Sequence, residues 1–134
     1  MTNLDDAFAR FDETWLPHIV ARVNDYDVRI ARCDGDHTWH VHDDTDEFFL
    51  VLHGRFTINL RSEPPVVLGP GDIHVVPRGV EHFPQAVPGT RILMFEPSGT
   101  PNTGSGPTDA EHITTTAGVD ISGEHRDRAT APGV

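Results

Sequence analysis

Three side chains near the middle of the chain are of the types that hold a transition metal. His40 and His42 are separated by one residue, and Glu47 follows five positions later. On an extended segment alternate side chains share a face, so both imidazoles point the same way with their Cα atoms about 6.6 Å apart. Asp43, Asp44, Thr45 and Asp46 make a polar turn, after which Glu47 starts another strand and can return its carboxylate to the histidines. Two imidazoles and a carboxylate with positions left open form the ligand set of non-haem iron sites, and the same donors suit Mn, Ni, Co or Zn. A His-x-His pair taken alone reads equally as surface histidines on a polar strand. Trp39 and Val41 make the opposite face apolar, so the histidine face meets either solvent or the inside of a barrel.

The elements that must position these groups are short. Leu4, Phe8, Phe11 and Trp15 recur at helical spacing, with Asn3 as a cap and Asp5 and Asp6 at the positive end, which predicts a helix reaching Trp15. Strands are predicted over 19–23, 26–32, 38–41, 47–52, 55–60, 66–68, 73–76, 81–86 and 91–96, divided by turn residues such as Asn24-Asp25, Gly54 and Gly69-Pro70-Gly71. No helical pattern separates them, so the expectation is an all-β barrel or sandwich and not a doubly wound α/β sheet. After residue 96 the composition turns to Gly, Thr, Pro, Ser and Asp. Residues 1–100 are therefore expected to form the barrel with its helix. Residues 101–134 are expected to form an extended tail, its first part laid on the barrel and its last dozen residues mobile.

Composition narrows the partners. The chain has 134 residues and a net charge of −11, which disfavours phosphate backbones and anionic lipid, so neither nucleic acid nor membrane is expected as a partner. All ten basic residues are arginines, which excludes a lysine nucleophile. The single cysteine, Cys33, excludes an intramolecular disulfide and reads as a small buried hydrophobe. The first residues carry neither a basic segment nor an apolar run, and a cytoplasmic location is expected.

Two longer patterns carry a family resemblance. Gly35-x4-His40-x-His42-x4-Glu47-x6-Gly54 resembles the first motif of the cupin superfamily, and Gly71-x5-Pro77-x-Gly79-x2-His82 resembles the second. The chain is similar to small single-domain bacterial cupins, some of which carry the label mannose-6-phosphate isomerase-like. The resemblance implies a double-stranded β-helix (jelly-roll) barrel, and it implies that His82 joins His40, His42 and Glu47 as a fourth ligand of one divalent transition metal, Fe, Mn, Ni or Zn. It also implies a homodimer, which suits an outward apolar face of Trp39, Val41, Phe48, Leu50 and Leu52. Two departures stand out: the first motif has four residues between its glycine and histidine where five are usual, and Ala86 stands where the second motif often ends in Asn.

The expected activity is that of an enzyme acting on a small organic molecule through its metal, by dioxygenase- or isomerase/lyase-type chemistry. The alternative is a non-catalytic module that binds a small molecule in the same pocket. Glu47 is a candidate catalytic base as well as a ligand, and His74, on the strand of the second motif, is a spare general-base candidate. His37 has the parity opposite to the ligands and is expected at the surface, and His53 at a strand end. Inward positions include Thr38, Phe49, Val51, Pro84 and Ala86, one of the sets Phe56/Ile58/Leu60 and Thr57/Asn59, and one of Met94 and Phe95. Arg78 sits at the rim. No basic side chain is assigned to the interior, which disfavours a phosphorylated sugar.

Overall fold

In the computed structural model, residues 1–106 and 108–123 are described. One short helix, α1 (Leu4–Phe8), precedes eight strands: β1 (His18–Val23), β2 (Tyr26–Asp36), β3 (Glu47–His53), β4 (Phe56–Leu60), β5 (Val66–Leu68), β6 (Ile73–Val76), β7 (His82–Pro97) and β8 (Val119–Asp120). The fold is all-β, as expected.

β7 organises the barrel. Its first residues pair with β4, from His82 opposite Leu60 to Ala86 opposite Phe56. Its last part pairs with β2 on one side and β3 on the other, Met94 lying opposite both Arg29 and Phe49. The strand bends between these halves at Gly89, whose φ of 82° is costly for any residue with a Cβ. β3 also pairs with β6, placing Glu47 opposite Val76 and Phe49 opposite His74. The period-two alternation is regular here. Phe49, Val51, Phe56, Ile58, Val76, Ile92 and Met94 face inward and are buried with Ala31 and Cys33. Of the open alternatives, Phe56/Ile58 and Met94 are therefore the inward sets, and Phe95 is 37% exposed.

α1 is much shorter than its apolar spacing predicts. Asn3 caps it, its Oδ1 accepting from the Asp6 amide, but the helix ends at Phe8. The stripe then serves two different cores. Phe8 and Phe11 pack outside the sheet on Val20 and Ile30. Trp15 takes a φ of 57°, its amide donates to the Arg32 carbonyl, and its ring joins the barrel interior. Helical periodicity registered the apolar residues correctly but not the break between them, which tertiary pairing with β2 imposes.

The predicted strand over 38–41 is also reduced. His40 forms an isolated antiparallel bridge with His82, and the His37 amide donates to the Pro84 carbonyl, 2.8 Å away. Residues beyond β7 run along the barrel. β8 pairs in parallel with β1, Ile113 is buried in the barrel core, and the Ser105 amide donates to the Val41 carbonyl. The mobility expected of the last dozen residues falls almost wholly beyond Gly123, outside the described residues.

On the outer face of β6, β3 and β7, Val75 and Phe95 flank Phe48, and Ile73 lies opposite Leu50. Tyr26 stacks on Phe95 at 5.0 Å. Ile73, Val75, Phe95 and Tyr26 are all more than a third exposed. Trp39 lies elsewhere, stacked on Phe83 and under the Arg61 guanidinium, and Leu52 packs with the cluster beneath α1. Of the outward apolar set expected as a single face, Trp39 thus lies apart, while Leu50 lies opposite Leu93 of the cluster that takes Leu52.

Candidate metal centre

Glu47 opens β3 and points into the barrel, His82 opens β7, and the bridge between His40 and His82 ties the intervening loop to that strand. The ligand atoms of His40, His42, Glu47 and His82 all lie within 4.8 Å of one another, and all four residues are buried. Glu47 is the common partner. Its Oε2 is 2.7 Å from His42 Nε2, and its Oε1 is 3.0 Å from His82 Nε2 and 4.0 Å from His40 Nε2.

The imidazoles are held by their other nitrogens. His40 Nδ1 donates to the Thr38 carbonyl at 2.9 Å and His82 Nδ1 to the Val80 carbonyl at 3.0 Å. This turns Nε2 of both rings toward the cluster, where that of His82 donates to Glu47 Oε1 at 3.0 Å; backbone carbonyls orient metal-ligating histidines in the same way. His42 Nε2 is buried, lies 2.7 Å from Glu47 Oε2, and has no other polar partner among the described residues. Three imidazole nitrogens and a carboxylate converging in a buried space are a donor set for a divalent transition ion.

The electrostatics differ among the three imidazoles. Burial drives the His40 imidazole down to about 3, so it is neutral and able to ligate. Burial also opposes charge on His42 and His82, but the Glu47 carboxylate more than offsets it and both are raised. For Glu47 burial acts upward, and the hydrogen bonds and charges of His42 and His82 outweigh it, so its net shift is downward.

A family model described as a cupin domain matches residues 26–95. The chain belongs to the cupin family. This cupin is 38% identical over 77 residues to the uncharacterised protein YdbB of Bacillus subtilis strain 168, covering 58% of this chain and 68% of that one. It is similar to the crystal structure of a cupin-2 domain protein from Shewanella frigidimarina, with 37% identity and a TM-score of 0.70 over 72% of this chain and 94% of that one. A hydroquinone 1,2-dioxygenase from Sphingomonas, with 4-hydroxybenzoate bound, shares the fold at 18% identity and a TM-score of 0.67, over 92% of this chain and 80% of that one.

The cupin's interior holds a cavity of about 30 Å³, lined by His40 and Glu47 and otherwise mostly by apolar side chains including Trp15, Phe49, Phe56 and Met94. His37 also lines it and is only 7% exposed. The surface position expected from strand parity is therefore wrong, because residues 37–41 do not run as a regular strand. Burial lowers His37 to about 4, and its Nδ1 has no hydrogen-bond partner among the described residues. His74 shares the register of Phe49 but is half-buried and does not line the cavity. Cys33 is buried, which pushes its thiol up and leaves it inert.

A basic side chain is inside after all. Arg29 is wholly buried on β2. Its Nε and Nη2 donate to Asp27 Oδ2, and its Nη1 donates to Glu96 Oε1 at 2.9 Å and to the Thr100 carbonyl at 2.7 Å. With four of its five N–H donors engaged and its charge paired, Arg29 has little to offer a phosphate. Glu96 lines the cavity, and burial followed by the charge of Glu47 raises it to about 8. The signal for this group was present in the sequence: an acid follows Ile92 and Met94 at the same parity, and Asp27 and Arg29 precede Ala31 likewise.

Proposed function

We propose that this cupin binds one divalent transition metal through His40, His42, Glu47 and His82 and acts through it on a small, weakly polar, oxygen-bearing organic molecule. The observation that carries the reading is the convergence of three imidazoles and a carboxylate within 4.8 Å, with two rings anchored by backbone carbonyls. When bound, the metal supplies a Lewis acid, or with Fe and O₂ an oxidising centre. The chain's own part is to hold His40 neutral, to orient the His40 and His82 rings, to exclude water with Trp15, Phe49, Phe56 and Met94, and to offer Glu47 as a proton acceptor beside the substrate.

Dioxygenase-type chemistry is the form we favour over isomerase- or lyase-type chemistry on a sugar phosphate. The cavity wall is mostly apolar, and the charge of the nearby Arg29 guanidinium is already paired with Asp27 and Glu96. The shared fold of a hydroquinone dioxygenase is compatible with this form. For His74 the proposal is that of a base at the rim, outside the cavity lining. An unchanged pH profile in His74→Gln would remove it.

The test is elemental analysis of protein purified without a metal-affinity tag, followed by oxygen-uptake assays on the metal-loaded protein with small phenols and enols. About one equivalent of Fe, Mn, Ni or Zn with substrate-dependent oxygen uptake supports the reading. Less than a tenth of an equivalent, with no binding on titration, overturns it. Metal and ligand bound without turnover would make the protein a binding module.

We also propose a homodimer formed through the outer face of Phe48, Ile73, Val75, Phe95 and Tyr26, and a cytoplasmic location. Light scattering at micromolar concentration should give twice the mass of one chain, and Val75→Lys should give a monomer. No helix among the described residues is long and apolar enough to cross a membrane.

A further inference from the structure

Glu96 is, with His37 and Asn102, one of the polar groups lining the cavity that the proposed metal centre does not use, and the one acid among them. Its side chain is 2% exposed. One oxygen, Oε1, is pinned by Arg29 Nη1, and Arg29 is itself fixed by Asp27 and the Thr100 carbonyl. The other oxygen, Oε2, is buried with no hydrogen-bond partner among the described residues. The residue lines the same cavity as His40 and Glu47. A wholly buried guanidinium is costly to keep, and an unpaired carboxyl oxygen adds to that cost. Together they hold one oxygen rigidly in an apolar space, next to the place where a metal-bound molecule would lie.

We propose that Glu96 is a specificity-determining residue whose Oε2 hydrogen-bonds a hydroxyl of the substrate while another oxygen of the same molecule meets the metal. The inference rests on the metal reading above and narrows the substrate to a small uncharged molecule with two oxygen functions, one of them a hydroxyl. A hydroxyl both donates and accepts, so it serves the carboxyl in either protonation state, whereas an ether or carbonyl serves only one. An anionic second group is disfavoured by Glu47 and Glu96, since the guanidinium groups of Arg29 and Arg22 are already paired with Asp27 and Glu96. Arg29 acts as a positioning residue, fixing the carboxyl so that ligand binding need not order it.

Two isosteric probes test this on the metal-loaded protein. Glycolohydroxamate and propionohydroxamate bind a metal through the same two oxygens and differ by a hydroxyl against a methyl. An apolar wall alone favours the methyl. With Glu96 as proposed, the hydroxyl compound binds about tenfold tighter, as one net hydrogen bond allows. In Glu96→Met the advantage disappears or reverses, with metal stoichiometry unchanged. Because that variant strands Arg29, Arg29→Met/Glu96→Met provides the same deletion with both partners removed. Equal or weaker binding of the hydroxyl compound to the wild type, or an advantage that survives either variant, overturns the proposal. Failure of the wild type to take up metal would instead overturn the metal reading.

Discussion

Glu47 binds the site together at the scale of single residues. It is the one carboxylate within 4.0 Å of all three imidazole Nε2 atoms. Glu47→Ala should lower metal affinity by more than the ten- to hundredfold typical of outer-shell losses, measured by competition with a chromophoric chelator. His37 gives a prediction in pH. Its imidazole is held at about 4 by burial, below its ordinary 6.5. The folded state therefore favours the neutral ring, and the unfolded chain takes the proton first as pH falls. The resulting stability is complete above 6.5 and is lost as pH drops toward 4. The loss attributable to this ring is at most about 3 kcal/mol, from the size of the shift. In metal-free protein, His37→Gln should retain its melting temperature relative to wild type over that interval. His40 is lowered and His42 and His82 are raised in both proteins, so the comparison isolates the His37 ring together with its coupling to His40 and His82.

Among the elements, the loop that carries His40 and His42 is the least regular and the most dependent on its neighbours. It is held by the bridge to His82 and, from the other side, by the segment after β7, whose Ser105 amide reaches the Val41 carbonyl. Gly104 has a φ of 75°, and a Cβ there would run into the Val41 carbonyl oxygen. Gly104→Ala should push this segment off the loop and weaken metal binding while leaving the barrel folded, readable as a lower affinity with an unchanged circular-dichroism spectrum. Gly54 differs in kind. A Cβ on it would lie 2.7 Å from Thr90 Cα, at the place where β3 turns into β4 beside the bend of β7. Gly54→Ala should cost about 1–3 kcal/mol of folding stability through strain and displacement of that backbone, measured by chemical denaturation.

For the molecule as a whole, the buried carboxylates differ in their counterions. Among the described residues Asp27 pairs with Arg29 and Arg22 and Glu96 with Arg29, whereas Glu47 meets only imidazoles. A divalent ion at the four-ligand cluster would offset the charge of Glu47. Chelation should therefore lower the melting temperature, and readdition of metal at about a hundred times its dissociation constant should restore about 2.7 kcal/mol. A melting curve indifferent to chelator would remove this linkage.

Much of this was legible in residue types and spacing. His40, His42 and Glu47 are polar residues set into strand patterns, and period-two alternation correctly sorted Phe49, Val51, Phe56, Ile58 and Met94 into inward positions or open pairs of positions, because a strand's faces follow from its backbone alone. The second motif added His82 through resemblance. Local pattern failed where long-range pairing overrides it. Residues 37–41 bridge β7 without becoming a strand, so parity misplaced His37. The helical stripe breaks at Phe8, so Trp15 enters the barrel instead of covering it. The charges of Asp27, Arg29 and Glu96 stand in plain view in the sequence, but their value depends on closure. Only when β2 and β7 pair, Asp27 opposite Glu96, does a salt bridge form that leaves one carboxyl oxygen free in a cavity with the metal ligands. The chain's own chemistry determines which atoms can bind a metal. The folding of residues almost seventy positions apart onto one another decides what else a bound molecule would touch, since burial and hydrogen bonding are properties of the assembled barrel and of no single segment.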